Sequence, residues 1–405
     1  MAPHSIYLHI PFCQHRCSYC DFNTYAGLEE LIPAYTDALI EEIRIISGGK
    51  EYSIPVKTIF FGGGTPSLLP EKSVARILHA LGVAFQFEDQ LEITIEANPG
   101  TLSLEYLKSL KKLGINRMSL GMQSAHAGEL NFLERNHDFG DVVEAIKWAR
   151  QAGFENLSLD LIFGLPGQPI DLWRDTLNLA LGLRPEHFSL YALTVESGTP
   201  LGEWTDRGLS PIPDPDIAAD MYELACDSLA EAGYVQYEIS NWAISKSLGH
   251  NQSTQHSTHN TPEYACKHNL QYWRNQPYIG LGAGAHGFVD GYRTQNLLSP
   301  RAYIQSFSDK QMPERPYPHT PATTLANKID QDTEMRETMM MGLRLTVEGV
   351  SDDRFQERFG ISIREAFEGE IEELAAWGLI EWAGETIRLT SKGKLLGNQV
   401  FMRFV

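Results

Sequence analysis

The sequence predicts an α/β fold, a partial (β/α)6 barrel, with a smaller winged-helix-like α+β domain at the C-terminus. The barrel prediction depends on two observations. Short β-rich segments alternate with longer helical segments between residues 6 and 195, and glycine and polar residues stand at the ends of the strands. The winged-helix-like prediction depends on a third observation: two helical segments precede a short β-hairpin near the C-terminus.

Six segments rich in β-branched and aromatic residues are the predicted barrel strands. They are residues 6–10, 56–61, 91–97, 117–122, 156–163 and 187–195. Helical periodicity between them is clearest in residues 141–152, where Val142, Ile146 and Ala149 repeat at i, i+4 and i+7. Strands separated by helices pair in parallel through right-handed crossovers. Six such units are too few for a closed eight-stranded barrel, so we expect a partial one.

Glycine and polar residues stand where these strands finish, namely the glycines 62–64, Asn98, Gln123 and Asp160. The carboxyl ends of parallel strands meet at one rim, and in parallel barrels that rim carries the functional loops. The sequence therefore predicts an active face at this rim.

The chain becomes less regular after residue 195. The predicted elements there are a helix at 217–232, a strand at 237–242, helices at 328–345 and 361–376, and hairpin strands at 379–382 and 386–389. The polar residues 244–263 predict a mobile surface loop, and the prolines of 311–324 mark a second boundary. The predicted domains are the barrel at 1–243, a polar insertion with the segment around His268 at 244–310, and a C-terminal domain at 325–405.

Composition excludes several classes of function. The 405 residues contain 33 Lys and Arg against 52 Asp and Glu, which gives a net charge of −19. This charge repels a polyphosphate backbone, so general nucleic-acid binding is not expected. The sequence has no apolar run of roughly 18–20 residues and no secretory pattern at its start, so we expect a cytoplasmic protein that is not integral to a membrane.

Three of the five cysteines fall within eight residues. Cys13, Cys17 and Cys20 form a C-x3-C-x2-C pattern directly after the first predicted strand. Three thiolates can bind three irons of a [4Fe–4S] cluster and leave the fourth iron open to an exogenous ligand. The alternative is structural zinc, which normally takes four protein ligands with paired C-x2-C spacings.

This pattern resembles the radical S-adenosylmethionine (SAM) superfamily, in which C-x3-C-x2-C follows the first strand. The resemblance implies that the open iron chelates the amino and carboxylate groups of SAM. Residues 62–66, Gly-Gly-Gly-Thr-Pro, are similar to the superfamily's glycine motif, which lies against the methionine part of SAM. There the backbone must approach the ligand closely, and glycine permits this.

More narrowly, the chain resembles the oxygen-independent coproporphyrinogen III oxidase family. The similar stretches are residues 7–13, 95–99, 119–124 and 160–167. The resemblance implies that SAM is contacted by Tyr7, Gly63, Gly64, Thr65, Glu96, Gln123, Arg135 and Asp160. Carboxylates can accept hydrogen bonds from ribose hydroxyls or an ammonium group, and an arginine can pair with the SAM carboxylate. Taken singly, each of these residues could instead cap a strand or form a solvated salt bridge.

Two departures decide the branch of the family. The oxidases carry a further cysteine two positions after the third ligand, where this chain has Phe22. Residues 268–273 spell H-N-x-x-Y-W, which resembles the signature of the HemW-type haem chaperones. These share the oxidase fold, bind haem and pass it to haem-requiring proteins such as respiratory enzymes. The chain after residue 325 also resembles the family's C-terminal domain.

The H-N-x-x-Y-W segment suggests a haem ligand. His268 can supply a neutral imidazole nitrogen to haem iron, and in a helix it shares a face with Tyr272. Two alternatives stay open: His268 belongs to a structural hydrogen-bond network, or Cys266 is the ligand. The loop before the segment also carries His250, His256 and His259, which we interpret as part of a solvated polar insertion rather than as a metal or haem site.

The sequence therefore predicts a haem chaperone that binds a [4Fe–4S] cluster, SAM and haem, with haem-accepting, respiratory proteins as partners. No catalytic residues are assigned, and coproporphyrinogen oxidase activity is not expected. The first alternative is such an oxidase, in which SAM cleavage gives a radical that starts the oxidative decarboxylation of propionate side chains. A radical SAM enzyme with an unrelated substrate is the second.

Overall fold

The computed structural model describes residues 4–48, 54–245, 261–308 and 318–405. These residues form two compact units: Met1–Ala225 with Pro277–Lys328, and Cys226–Gln276 with Ile329–Val405. Both units combine segments that are distant in sequence, so the division into consecutive domains stays a prediction. His250, His256 and His259, with most of the polar loop, lie outside the described residues.

The strands are numbered along the chain. They are β1 (His4–Ile10), β2 (Phe12–Cys13), β3 (Tyr25–Ala26), β4 (Pro55–Gly63), β5 (Gln86–Ala97), β6 (Arg117–Gln123), β7 (Leu157–Phe163), β8 (His187–Ala192), β9 (Val235–Glu238), β10 (Asn241–Ala243), β11 (Tyr278–Leu281), β12 (His286–Val289), β13 (Tyr292–Asn296), β14 (Thr323–Lys328), β15 (Val350–Ser351), β16 (Ile380–Ala383) and β17 (Thr386–Leu389).

The α-helices are numbered in the same way. They are α1 (Ile32–Ile46), α2 (Glu71–Ala84), α3 (Leu104–Lys112), α4 (Ala127–Phe132), α5 (Phe139–Gln151), α6 (Ile170–Gly182), α7 (Pro200–Asp206), α8 (Pro215–Glu231), α9 (Lys267–Trp273), α10 (Pro300–Ser308), α11 (Gln331–Gly342), α12 (Asp352–Phe359), α13 (Ile363–Ala366), α14 (Glu368–Ala376), α15 (Ser391–Leu395) and α16 (Gly397–Phe401).

The first unit contains the predicted barrel strands. β1, β4, β5, β6, β7 and β8 lie side by side in this order, and each adjacent pair is parallel. Their side chains are buried because one face of the sheet meets the barrel interior and the other meets helices; Ile6, Leu8 and Ile10 of β1 are fully buried or nearly so. The predicted α/β barrel fold is confirmed.

The sheet extends beyond β1 by four strands that the sequence pattern does not predict. β11 pairs with β1 in parallel, and β12, β13 and β14 follow as an antiparallel series. Residues 278–296 are rich in glycine and polar side chains, which hides the alternation typical of strands. This extension places β11 next to β1, the strand that precedes the cysteines.

Most predicted boundaries shift by a few residues for local reasons. The helix predicted at 141–152 is α5, which begins two residues earlier because Asp138 and Asp141 form a capping box. β8 ends at Ala192, three residues before its predicted end. β6 ends at Gln123, whose positive φ of 64° breaks the extended backbone.

The second unit contains the predicted C-terminal helices and hairpin. β16 and β17 pair antiparallel, with β15 on the other side of β17. Phe355, Phe367 and Phe404 pack in its buried core. Within the four described ranges, no helix has the length and apolar character needed to cross a membrane.

Three predictions for this unit need correction. The helix predicted from residue 328 begins at Gln331, because the side chain of Asp330 caps it by accepting from Thr333 N at 2.8 Å. The single helix predicted at 361–376 is two helices, α13 and α14, which are separated at Phe367 by a backbone with φ −135° and ψ 35°. The strand predicted at 237–242 is a hairpin of β9 and β10.

Candidate cofactor site

The three clustered cysteines lie on one loop at the carboxyl rim of the barrel. Cys13 ends β2, which pairs with β3, and Cys20 N donates to Cys17 O at 3.2 Å. Cys13 is buried, whereas Cys17 and Cys20 are partly exposed. All three line a cavity of about 410 Å³, so the loop presents three thiols to one space.

Burial disfavours the ionised form of two of these thiols. It raises the pKa of Cys13 and of Cys20, and nearby hydroxyl groups oppose this shift. Thr65 Oγ1 lies 3.7 Å from Cys13 Sγ, and Thr24 Oγ1 lies 3.9 Å from Cys20 Sγ. Since metals bind thiolates, metal binding here must release protons.

Zinc and an iron–sulfur cluster make different demands on these thiols. Among the described residues, no group of three or more His, Cys, Asp and Glu side chains is arranged to hold a single metal ion. In a [4Fe–4S] cluster each thiolate binds its own iron, so the sulfur atoms do not converge on one point. Three thiols around one cavity are a suitable donor set for such a cluster.

The glycine motif is required by packing within the protein. A Cβ at Gly63, whose φ is 111°, would lie 2.6 Å from the His9 ring. A Cβ at Gly64 would lie 2.6 Å from Phe12 O and 3.0 Å from Cys13 Sγ. The sequence motif predicts close approach of a ligand to these glycines. In the structure, Gly63 also lets β4 pack against His9 of β1, and Gly64 lets the chain contact the start of the cysteine loop.

Two carboxylates lie on neighbouring parts of the cavity wall. Glu96 Oε2 accepts from Gly63 N at 3.1 Å, and the two Asp160 oxygens accept from Ser119 Oγ at 2.9 and 3.0 Å. Burial, together with the charge of Asp160, raises the pKa of Glu96 to about 8. Burial also raises the pKa of Asp160, while the buried Arg117 opposes both shifts. Asp160 and the carbonyl oxygen of Glu96 can accept hydrogen bonds from hydroxyl or ammonium groups of a ligand, and a bound ammonium group would favour the ionised form of Glu96.

Arg135 links the rim to the cysteine loop. Its Nη2 donates to Asn98 Oδ1 and to Gly121 O, both at 2.9 Å, and its Nη1 lies 3.6 Å from Cys17 Sγ. Its Nε is buried and has no hydrogen-bond partner within the described ranges. An unsatisfied guanidinium nitrogen at the site is what an absent anionic group, such as the carboxylate of SAM, would correct.

The structure brings together most of the residues predicted to contact SAM. Those lining the cavity with the cysteines are Gly63, Gly64, Thr65, Glu96, Gln123, Arg135 and Asp160. Tyr7 is not among them: its Oη lies 3.0 Å from His9 Nδ1, and its ring stacks on Phe60. The cavity therefore combines cysteine thiols, glycine backbone, carboxylates and a guanidinium group, which suit an iron–sulfur cluster with SAM beside it.

Several cavity residues were not predicted from the sequence. In the sequence, Phe22 stands out only as the replacement for a cysteine, yet its side chain is 62% exposed at the cavity. Tyr191, which is 47% exposed, Tyr19 and Leu193 add further apolar surface. No sequence pattern marks these residues, since the exposure of a side chain depends on the packing around it.

His268 lies in the second unit, on α9. The helix confirms that His268 and Tyr272 share a face, since His268 Nε2 is 2.8 Å from Tyr272 Oη. The imidazole is 1% exposed, and Cys266, just before the helix, is fully buried. Coordination of haem iron by His268 Nε2 therefore requires its contact with Tyr272 to open, and this role stays a prediction.

The fold and the cavity define a radical SAM protein. The Radical SAM superfamily model matches residues 7–180, and the HemN C-terminal domain model matches residues 329–396.

The chain belongs to the HemW family within that superfamily. It is 39% identical to "Heme chaperone HemW" of Bacillus subtilis (strain 168), over 99% of each chain. It is 35% identical to the protein of the same name in Lactococcus lactis, over 100% of this chain and 97% of that relative. A mitochondrial relative from Danio rerio, "Radical S-adenosyl methionine domain-containing protein 1", is 34% identical over 87% of this chain and 75% of its own length.

Among solved structures, the fold is similar to coproporphyrinogen III oxidase (HemN) from Escherichia coli. The TM-score is 0.80, with 99% of this chain and 90% of that chain covered, and the two sequences are 22% identical. This similarity establishes a shared fold.

Proposed function

We propose that this protein is a haem chaperone that carries a [4Fe–4S] cluster on Cys13, Cys17 and Cys20 and binds SAM beside it. It receives haem and delivers it to haem-requiring proteins, respiratory proteins among them. The cytoplasmic location expected from the sequence is part of this proposal. The observation that supports it most strongly is the full-length similarity to relatives named as haem chaperones.

Different residues of the cavity would bind the cluster and SAM. The three cysteines would hold the cluster, whose open iron supplies a chelation point for SAM and, in radical SAM enzymes, an electron for its cleavage. Arg135 would pair its Nε with the SAM carboxylate, and Glu96 and Asp160 would accept from hydroxyl or ammonium groups. The backbone of Gly63 and Gly64 would face the same ligand.

The rival function is oxidation of coproporphyrinogen III, which the fold shared with HemN favours. The reconstituted protein, incubated anaerobically with reductant, SAM and coproporphyrinogen III, is expected to form no protoporphyrinogen above the level of a variant lacking all three cysteines. The product is measured by its porphyrin fluorescence after oxidation, with E. coli HemN as the positive control. Product formation at a rate comparable to HemN would refute the chaperone assignment.

His268→Ala is expected to weaken haem binding about tenfold, roughly 1.4 kcal/mol, because it removes the proposed axial nitrogen. The measurement is a haem titration followed by the Soret band. Tyr272→Phe is the matched control: it keeps the ring but removes the hydroxyl group that contacts His268 Nε2, so haem binding should be retained or strengthened. A His268→Ala titration identical to wild type would exclude this ligand and direct the search to Cys266.

A further inference from the structure

The cysteine loop is attached to the first unit at separate points along its length. At its start, Cys13 is held by pairing of β2 with β3. In its middle, Ser18 Oγ donates to Phe132 O at 3.3 Å and Ser18 O accepts from Leu201 N at 2.9 Å. At its end, after Cys20, Tyr25 N donates to Pro11 O at 2.7 Å, and Asn23 adds side-chain hydrogen bonds.

Asn23 uses both its side chain and its backbone. Its Nδ2 donates to Ala283 O at 3.1 Å and to Leu298 O at 2.9 Å, and its Oδ1 accepts from Tyr25 Oη at 3.1 Å. Its carbonyl oxygen accepts from His9 Nε2 at 2.9 Å. One asparagine thus connects the loop to two segments that follow it by more than 250 residues.

The partner of Asn23 is shaped to receive it. Gly284 has a φ of 79°, and a Cβ there would lie 2.3 Å from Asn23 Nδ2. The backbone of the two preceding residues is held by buried side chains: Ala283 N donates to Tyr35 Oη at 2.7 Å, and Gly282 N donates to Glu42 Oε2 at 2.8 Å. Asn23 therefore fits against a turn that is itself held in place.

We propose that Asn23 is a positioning residue for the iron–sulfur cluster. By clamping the end of the loop to residues 283–284 and to Leu298, it fixes Cys20, three residues earlier, relative to Cys13. Thr24, which contacts Cys20 Sγ, is fixed with it. The inference rests on the proposed function, since it requires that the three cysteines hold a cluster.

The test compares cluster retention in reconstituted full-length variants under anaerobic conditions. Asn23→Ala is expected to release iron to a chelator about tenfold faster than wild type. The substitution removes the two hydrogen bonds from Asn23 Nδ2, to Ala283 O and to Leu298 O, which we call the Asn23 clamp. Its control is Asn116→Ala, which also removes two hydrogen bonds to backbone, from Ile93 N and to Leu91 O. Asn116 precedes the amino end of β6, whereas the cysteine loop lies at the carboxyl rim of the barrel. The control should release iron at the wild-type rate.

A second variant reaches the clamp without changing Asn23. Gly284→Ala places a methyl group against Asn23 and should release iron faster in the same way. Gly208→Ala is its control. Gly208 has a similar φ of 68° but open space around its Cβ position, so this substitution introduces the backbone strain without a steric clash.

A spectroscopic measurement separates positioning from general stability. The electron paramagnetic resonance spectrum of the reduced cluster should change in Asn23→Ala and Gly284→Ala, while their apoproteins melt within a few degrees of the two controls. Wild-type iron release and an unchanged spectrum in both variants would overturn the clamp but leave the proposed function intact. Failure of the wild-type protein to take up any cluster would overturn both.

Discussion

Replacing Cys13, Cys17 and Cys20 together with alanine is expected to reduce iron and acid-labile sulfide from about four of each per chain to background after anaerobic reconstitution. These thiols line one cavity, and no other cysteine does so among the described residues. The measurement is elemental analysis together with the visible absorption of the cluster.

Cys226→Ala is the matched control, because Cys226 is also a partly exposed cysteine outside any disulfide but lies in the second unit. It should keep the full iron and sulfide content. Stoichiometric zinc instead of iron in oxygen-free preparations of the wild-type protein would contradict the cluster assignment. Aerobic preparations are expected to contain less cluster, since exposed thiolates are oxidised.

Glu42→Ala is expected to lower the free energy of unfolding by about 3–5 kcal/mol at pH 5. Glu42 is fully buried and accepts from Gly282 N, Asn296 Nδ2, Tyr303 Oη and Thr320 Oγ1 at 2.6–3.1 Å. Removal of the carboxyl group removes the acceptor that these four donors share. The control is Glu41→Ala, whose salt bridge with Arg44 is exposed and should contribute less than about 1 kcal/mol.

The same residue should make stability depend on pH. Burial raises the pKa of Glu42 from 4.5 to about 7, so its neutral form is favoured in the folded protein. A raised folded-state pKa means that this stabilisation is fully present below pH 4.5 and is lost as pH rises through 7, by about 3 kcal/mol in all. Denaturant titrations from pH 5 to pH 8 measure the loss, which Glu42→Ala should reduce. An equal slope in the variant would assign the pH dependence to other groups.

The barrel was predictable because its strands carry local signals. The six strands are apolar runs of the usual length, separated by amphipathic helices, and each forms within a few residues of its predicted bounds. β11 to β14 lack this signal, because a strand such as β12 is stabilised by its neighbours rather than by its own composition. That β11 pairs with β1 depends on tertiary packing, which sequence patterns do not encode.

The candidate site was predictable where the spacing of cysteine and polar residues along the sequence indicates ligand binding. The cysteine pattern and the polar strand ends converge on one cavity, as parallel strands require. The position of Tyr7 and the burial of His268 depend on neighbouring side chains, His9 in one case and Tyr272 in the other. The clamp at Asn23 also lacked a signal, since its partners are backbone carbonyl groups that any residue could supply.

The position of β1 between β4 and β11 has a consequence for biosynthesis. β4 follows β1 closely along the chain, but β11 follows it by about 270 residues. At roughly 5–20 residues per second, a ribosome needs roughly 15–50 s to translate that interval. Throughout it, the nascent strand leading into the cysteines has an unpaired edge. We therefore expect the cysteines to bind iron only after β11 has been synthesised and has paired with β1.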